Sequence, residues 1–255
     1  MRALVNRPSA ALADCELTFL ERRAIDVGRA QAQHAAYAEA LRVSGAHVDT
    51  LRVNTRCPDG VFVEDVAVIL DEIAVIASLG SPSRRAETFA MGQAIAEYRE
   101  TVAMTPPATL EGGDVLRVGR TLFVGLSART NKEGVEAFRA IVRPLGYSVV
   151  PVEVHGCLHL KTCITALDDE TCLVNRQWLD VTPFGGFGLI DVAPREPWAA
   201  NVLRLPSGIL MNAACPETTE SVRKLGYSVH AMDISEFGKA EAGLTCMSLL
   251  FDGSA

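Results

Sequence analysis

Three shortages in this sequence restrict the class of protein that it can encode. Aromatic residues make up 6% of the 255 residues, 24 lysines and arginines face 31 aspartates and glutamates, and the net charge is −7. No apolar run approaches the roughly 20 residues that a membrane span needs. The excess of acidic over basic residues argues against nucleic-acid binding and mildly favours a cationic small-molecule ligand. We therefore expect neither a nucleic-acid partner nor a membrane association.

Targeting, disulfide and phosphate-binding signals are also missing. Residues 1–8 lack the apolar core of a signal peptide and indicate a short strand that ends in a turn. The seven cysteines are odd in number and form no C-x-x-C pair, which favours free thiols in a reducing, cytoplasmic compartment. No G-x-x-x-x-G-K-[ST] is present, and Gly185-Gly186-Phe187-Gly188 lies in a Pro/Gly-rich connector rather than a phosphate cradle.

Short segments of one pattern recur along the chain. Residues 141–150 read IVRPLGYSVV, residues 221–230 read SVRKLGYSVH, and ALRVSGAHVD at 40–49 is a weaker relative. Each segment is typical of a helix end, a glycine that stops the helix, and an alternating strand. Repetition of this kind indicates an architecture built from similar units.

Strand–turn–strand patterns recur in the same chain. They lie at residues 66–77, 115–125, 163–175 and 201–212, and a last strand at 244–251 lacks a following partner. The N-terminal strand at 2–6 could complete that unit by returning beside it. Five ββαβ-like units closed by the termini predict an α/β fold, a five-unit pseudo-symmetric β/α propeller that forms a single domain over residues 1–255. An ordinary α/β sandwich with coincidental hairpins is the alternative.

Polar residues stand immediately before or within the first strand of each unit, where packing alone would favour apolar ones. Equivalent positions in a pseudo-symmetric ring face one place, so these side chains would share a site. Singly, each has a structural explanation: a solvated acidic pair, a tight Glu-Gly-Gly-Asp turn, a hydrogen-bonded histidine or a core thiol. Together they favour a catalytic site. They are Glu64 and Asp65, Glu111 to Asp114, His159 to Thr162, Asn201, and Cys246.

A metal site is the alternative to a catalytic site. His155, Cys157 and His159 alternate, so one face of a strand would present three zinc-ligand types. Alternate residues of one strand rarely supply three tetrahedral ligands, and nothing supplies a fourth at ordinary spacing. We expect no metal site here.

Motifs spread over nearly the whole chain resemble the dimethylarginine dimethylaminohydrolase family, and they occur in that family's order. They are PDGVFVED (58–65) followed by VAVI, SRR (83–85), EGGD (111–114), GLSARTN (125–131), LHLKT (158–162) and LTCMSL (244–249). The family belongs to the guanidine-modifying superfamily, whose fold is a five-unit β/α propeller of the pentein type. The resemblance therefore implies the same ring as the repeats.

The resemblance also implies residue roles. The implied catalytic residues are Cys246, the nucleophile, His159, the general acid and base, and Glu111. The implied substrate contacts are Asp65 and Glu111 for the guanidinium, with Glu64 beside them; Arg84 and Arg129 for the α-carboxylate; and Asp59 with the backbone carbonyls of Leu17 and Ala240 for the α-amino group. The chain departs from the family in two places. Glu241-Ala242-Gly243 stands where Asp-Gly-Gly is expected, and the lid stretch LADCELTFLERR around Leu17 matches poorly.

The implied activity is hydrolysis of Nω-methylated L-arginine to L-citrulline and a methylamine through a covalent cysteine thiouronium, without a cofactor. An arginine deiminase or amidinotransferase on the same scaffold is an alternative, although Lys161 stands where arginine deiminases carry an acidic residue. A catalytically silent arginine-binding protein is an alternative of another class. A homodimer is compatible with these features.

Overall fold

Fifteen strands form five three-stranded sheets in the computed structural model, which describes residues 1–252. The strands are β1 (Arg2–Asn6), β2 (His47–Leu51), β3 (Ala67–Ile69), β4 (Ile73–Ile76), β5 (Glu100–Ala103), β6 (Val115–Val118), β7 (Thr121–Leu126), β8 (Ser148–Glu153), β9 (Ile164–Ala166), β10 (Thr171–Val174), β11 (Gly188–Asp191), β12 (Leu203–Leu205), β13 (Gly208–Asn212), β14 (Val229–Met232) and β15 (Leu249–Phe251). The α-helices are α1 (Val27–Val43), α2 (Glu87–Ile95), α3 (Lys132–Val142), α4 (Leu160–Cys163), α5 (Pro216–Lys224) and α6 (Ser235–Gly238).

The five sheets share one plan. In each, the middle strand pairs antiparallel with one neighbour and parallel with the other, in the orders β3-β4-β5, β6-β7-β8, β9-β10-β11, β12-β13-β14 and β15-β1-β2. The last sheet joins the two ends of the chain, with Ala3 opposite Leu250 and opposite Val48. This arrangement confirms the predicted α/β propeller, the four hairpins and the return of the N-terminal strand.

Three helices end at a glycine with left-handed backbone, as the recurring segments predict. Gly45 follows α1 at φ +90°, Gly146 follows α3 at φ +84°, and Gly226 follows α5 at φ +94°. Only glycine adopts this conformation without strain from a Cβ atom, so it stops the helix and turns the chain into the next strand.

The third unit differs from the others between its second and third strands. A single 3-10 turn, Thr182–Phe184, replaces the α-helix there, and the Gly185–Gly188 segment leads directly into β11. Aromatic rings fill the space: Phe184 stacks on Phe123 with centroids 4.3 Å apart, and Trp178 lies 4.7 Å from Trp198.

Five clusters of buried apolar residues hold the sheets together, and each cluster combines residues of two neighbouring sheets. None of the helices in the described part of the chain has the length and hydrophobicity that a bilayer crossing requires.

One predicted strand is shorter than expected. The strand predicted at 244–251 begins only at Leu249, and Thr245–Met247 forms a 3-10 turn instead. Side-chain bonds made by Thr245 hold this turn, because its N–H donates to Oδ1 of Asn201 and its hydroxyl donates to Glu64. An apolar strand pattern in the sequence cannot reveal these long-range bonds.

Candidate active site

Short helical turns place the polar residues of four units. Glu64 and Asp65 lie in the turn Val63–Val66, Glu111 precedes the turn Gly112–Asp114, His159 precedes α4, and Cys246 lies in the turn Thr245–Met247. Each turn leads into the first strand of its sheet. The structure therefore brings pseudo-equivalent positions together, as the repeats predict.

His159 is buried among carboxylates. Its Nε2 lies 2.7 Å from Oε2 of Glu111, and its Nδ1 lies 3.7 Å from Oδ1 of Asp65. Asp114, which is also buried, accepts the N–H of Leu160 and the hydroxyl of Thr130. Burial lowers the pKa of His159, but the surrounding carboxylates outweigh it and raise that pKa to about 9.

The two glycines of the EGGD motif are required by close approach. A Cβ on Gly113 would lie 2.6 Å from Nδ1 of His159, and a Cβ on Gly112 would lie 2.0 Å from the carbonyl oxygen of Glu64. Neither glycine has a positive φ in the structure. The motif therefore exists to let two turns and the imidazole pack against one another.

Cys246 is half-buried, and its Sγ accepts the N–H of Gly243 at 3.3 Å. Burial raises the pKa of this thiol well above its usual range, and the negative charges of Glu64 and Asp65 raise it further. The resting cysteine is therefore a thiol, and a positive charge placed beside it would favour the thiolate.

Asn201, the counterpart in the fourth unit, does not join the other polar residues. Its side chain donates to Oγ1 of Thr245 and to the carbonyl of Lys161, and so braces the turn that carries Cys246. The fourth unit thus supports the site without lining it.

Lys161 lies on helix α4, and its ammonium points to Glu64. Nζ of Lys161 lies 2.6 Å from Oε1 of Glu64, whose other oxygen accepts the hydroxyl of Thr245 at 2.6 Å. Both oxygens of Glu64 are therefore occupied, and Glu64 and Lys161 line a separate cavity of about 550 Å³.

A small cavity of about 20 Å³ lies at the meeting point of the turns. Two of the four buried side-chain polar atoms without a hydrogen-bond partner in residues 1–252 belong to residues that line it: Oδ1 of Asp65 and Nη1 of Arg129. The predicted residues that line it are Asp59, Asp65, Arg84, Arg129, His159, Ala240 and Cys246, whereas Leu17, Glu64 and Glu111 do not.

The two arginines are held differently. Arg84 is bound by the protein: Nη1 donates to Asp65 at 2.6 Å, and Nη2 donates to Glu87 at 3.0 Å and to the carbonyl of Phe62 at 3.2 Å. Arg129 has fewer bonds, since its Nη1 lies 3.5 Å from Oε1 of Glu111 without a hydrogen bond. Arg129 is therefore the freer of the two.

Residues 16–23, the C-terminal part of the LADCELTFLERR stretch (12–23) and called the lid below, reach the cavity through Glu16. The N–H of Glu16 donates to Asp59, with both carboxylate oxygens at 3.2 Å, and the Glu16 carboxylate accepts the hydroxyls of Ser81 and Ser83. Leu17 follows directly and packs against the apolar cluster nearby. Glu16 and Glu87 were not predicted from the sequence. The position of Glu87, three residues after Arg84, is a signal that could have suggested an ion pair.

Potential metal ligands are arranged differently from the alternation that the sequence suggests. Residues 155–159 form no strand, and His155 is exposed while Cys157 is buried. Ligand atoms of Asp65, Glu111 and His159 lie within 4.8 Å of one another, but Glu111 and His159 already bond each other.

Comparisons with known proteins identify the family of this chain. A family model described as N,N dimethylarginine dimethylhydrolase, eukaryotic, matches residues 14–182. The N(G),N(G)-dimethylarginine dimethylaminohydrolase of Streptomyces coelicolor is 43% identical over 252 residues, which cover 97% of this chain and 96% of that protein.

Two solved structures are also similar. One is a cysteine-to-serine mutant of the Pseudomonas aeruginosa enzyme complexed with citrulline, with a TM-score of 0.93, 32% identity and 98% of each chain covered. The other is a histidine-to-glycine dimethylarginine dimethylaminohydrolase bound as an adduct with S-methyl-L-thiocitrulline, with a TM-score of 0.93, 32% identity and coverage of 98% and 99%. By sequence and by fold, this chain belongs to the dimethylarginine dimethylaminohydrolase family.

Proposed function

We propose that this chain hydrolyses Nω-methylated L-arginine to L-citrulline and a methylamine through a covalent thiouronium on Cys246. The observation that carries the proposal is the pair of unsatisfied buried atoms in one cavity. The Asp65 oxygen that lacks a hydrogen bond suits a guanidinium, and the Arg129 nitrogen that lacks one suits a carboxylate. A zwitterionic amino acid with a cationic side chain satisfies both.

Substrate charge activates the nucleophile in this scheme. The Cys246 thiol is disfavoured as a thiolate by burial and by neighbouring carboxylates. A guanidinium bound against Asp65 neutralises that carboxylate and places a positive charge beside the sulfur, so the thiol loses its proton to solvent on binding. The thiolate then attacks the guanidinium carbon and forms a C–S bond.

His159 acts as the general acid in the first half-reaction and as the general base in the second. Its raised pKa keeps it an imidazolium at neutral pH, ready to protonate the methylated nitrogen as the C–N bond breaks and the amine departs. The neutral imidazole then takes a proton from water, the hydroxide attacks the thiouronium carbon, and the C–S bond breaks to give the ureido product. We assign Glu111 to positioning this imidazole, because both its oxygens contact protein groups.

The α-amino acid end is assigned from residues that line the same cavity and, for Leu17, from the family resemblance. Arg129 binds the α-carboxylate, with Arg84 behind it, while Asp59 and the carbonyls of Leu17 and Ala240 take the α-amino group. Asp59 is buried at the cavity, and Ala240, two residues after α6, also lines it. Glu64 lies behind this end of the site and does not line the cavity, and its ion pair with Lys161 offsets its negative charge.

A reaction of this kind needs no cofactor, and this chain's thiol, imidazole and carboxylates supply each step. The cytoplasmic location and the homodimer stay predictions, and gel filtration with light scattering would test the second. A deiminase acting on arginine itself uses the same nucleophile and acid, so substrate preference separates the two activities.

Product analysis tests the proposal. The enzyme would be incubated with arginine, monomethylarginine, asymmetric dimethylarginine or agmatine in H₂¹⁸O, and the products identified by mass spectrometry. We expect citrulline with one ¹⁸O atom and dimethylamine from dimethylarginine. Transfer of the amidino group to an added amine would indicate an amidinotransferase. Binding without products, and no rapid alkylation of Cys246 by a guanidine-mimicking electrophile, would indicate a silent binding protein.

A further inference from the structure

Glu241 contacts the lid from a distant part of the chain. Its carboxylate accepts the backbone N–H groups of three consecutive lid residues, Thr18, Phe19 and Leu20, and both of its oxygens lie 3.0 Å from the Thr18 nitrogen. Consecutive N–H groups that converge on one carboxylate form an anion-binding nest. The nest is made by the lid, and the anion is supplied by the segment that leads to Cys246.

The backbone of Glu241 is unusual for its residue type. Its φ is +59°, in the left-handed region that glycine adopts without strain and glutamate rarely adopts. The side chain is buried, with 8% of the residue exposed. The N–H groups of Ala240 and Ala242 both donate to the carbonyl of Phe237, and this turn after α6 holds the left-handed backbone of Glu241. The turn presents the side chain, which the three lid N–H groups then bond.

The lid has to move during turnover. The cavity of about 20 Å³ holds roughly one water molecule, far less than an amino acid. Beyond the contact lies a second cavity of about 210 Å³, lined in part by Leu20 and Glu241. The lid thus has space beside it at Leu20.

We propose that Glu241 is a positioning residue that latches the lid over bound substrate. This inference rests on the proposed function, because it concerns the same site. The ionised carboxylate holds the nest of residues 18–20, and this fixes the carbonyl of Leu17, the preceding residue, toward the substrate amino group. It also fixes Thr18, whose Oγ1 accepts Nη2 of Arg129 at 3.1 Å, so the α-carboxylate end is organised by the same contact.

Glutamate in place of the aspartate expected from the family fits this role. The extra methylene of glutamate lets the carboxylate reach further from its backbone to the lid N–H groups. The departure noted at Glu241-Ala242-Gly243 is then a feature of the latch rather than of the chemistry, since Cys246 bonds Gly243 and not Glu241.

Four variants test the latch. Glu241→Gln keeps the size and removes the charge, Glu241→Asp keeps the charge, and Glu241→Gly relieves the backbone strain and removes the side chain. Asp14→Asn, at an exposed position just before the lid, is the matched control for loss of one negative charge. Each would be measured for kcat and KM with dimethylarginine, for thermal unfolding, and for trypsin cleavage after the exposed lid residues Arg22 and Arg23.

We expect Glu241→Gln and Glu241→Gly to lose about 10- to 100-fold in kcat/KM, mainly through KM, as charge-assisted hydrogen bonds are lost. Trypsin should cleave their lids at least about tenfold faster than the wild-type lid. Added citrulline, which should slow cleavage of the wild-type lid, should not slow cleavage of theirs. Glu241→Gly should unfold at no lower temperature than wild type. Glu241→Asp should recover part of the loss, and Asp14→Asn should behave as wild type.

Lid cleavage and KM that are unchanged in Glu241→Gln would overturn the latch. So would a loss that follows thermal stability alone, because a merely structural residue would lower the unfolding temperature without a selective effect on the lid. Failure of the wild-type protein to form citrulline would refute the proposed function instead. The cleavage measurements do not depend on turnover, so the two failures are distinguishable.

Discussion

Nε2 of His159 lies 2.7 Å from Oε2 of Glu111, a residue with no solvent exposure. The other oxygen of Glu111 accepts the N–H of Gly80 at 3.1 Å, so the carboxylate is fixed from both sides. We expect Glu111→Gln to lower kcat by about 10²- to 10⁴-fold, the range typical of general acid–base catalysis, and to move the alkaline limb of the pH–rate profile to lower pH. A lower kcat with an unmoved alkaline limb would show that Glu111 does not act through the pKa of the His159 imidazole.

The pH dependence of catalysis follows from the raised pKa of His159. The imidazolium is the acid that protonates the departing amine, so kcat/KM for dimethylarginine should fall as pH rises through about 9. S-methyl-L-thiocitrulline, whose thiolate leaving group needs less protonation, should retain its rate further into the alkaline range. Identical alkaline limbs for both substrates would contradict the acid role.

Folding stability should depend on the same group. The folded-state pKa of His159 lies above its unfolded value of 6.5, so the protonated form favours the fold. Its contribution of about 3 kcal/mol is complete below pH 6.5 and is lost as pH rises through about 9. Urea unfolding between pH 6 and pH 9.5 should show this loss, and His159→Gln should reduce it. An equal slope in both proteins would assign the pH dependence to other groups.

Removal of the nucleophile should abolish turnover while the fold persists. Cys246→Ser replaces a half-buried thiol by a hydroxyl that has no comparable route to an anion at neutral pH. Sγ contributes one weak bond from Gly243, so little packing is lost. Circular dichroism and thermal unfolding should match wild type, and citrulline formation should be undetectable. Wild-type turnover in this variant would rule out the nucleophile assignment.

Substitution of Arg129 should weaken substrate binding, whereas substitution of Arg84 should weaken the fold. Arg129→Ala should weaken substrates with an α-carboxylate by about 2–5 kcal/mol and leave agmatine, which lacks that group, little affected. Arg84→Ala should instead destabilise the fold, because Asp65 and Glu87 would lose a buried partner. Comparison of kcat/KM on arginine-type substrates and agmatine, beside urea unfolding of both variants, measures the difference. Equal losses on the two substrates in Arg129→Ala would refute carboxylate binding.

Methylated arginines should be preferred over arginine. Both oxygens of Glu64 are occupied by Lys161 and Thr245, so the acceptor left unpaired near Cys246 is Oδ1 of Asp65. Unsubstituted arginine would bury a donor without a partner, at a cost of about 1–3 kcal/mol, whereas a dimethylated nitrogen has no donor to lose. Competition between arginine and asymmetric dimethylarginine in one reaction gives the ratio of kcat/KM. A ratio in favour of arginine would change the assignment to a deiminase.

Local patterns in the sequence determined the architecture of this protein. Alternating apolar residues predicted the hairpins, and Gly146 and Gly226 predicted where helices stop, because these signals depend on residues close together in the chain. Repetition then predicted that His159 and Cys246 face a common centre. The resemblance to a known family added roles that no periodicity contains.

Tertiary structure alone decided how the polar side chains pair. The same kind of position before a hairpin places His159 in the site but turns Asn201 into a brace, and Lys161 points away to Glu64. Glu241 holds lid residues more than 200 positions earlier in the chain, such as Thr18. Such pairings depend on distances set by ring closure, when β1 returns beside β15. No window of sequence contains both partners, and so no local pattern could predict them.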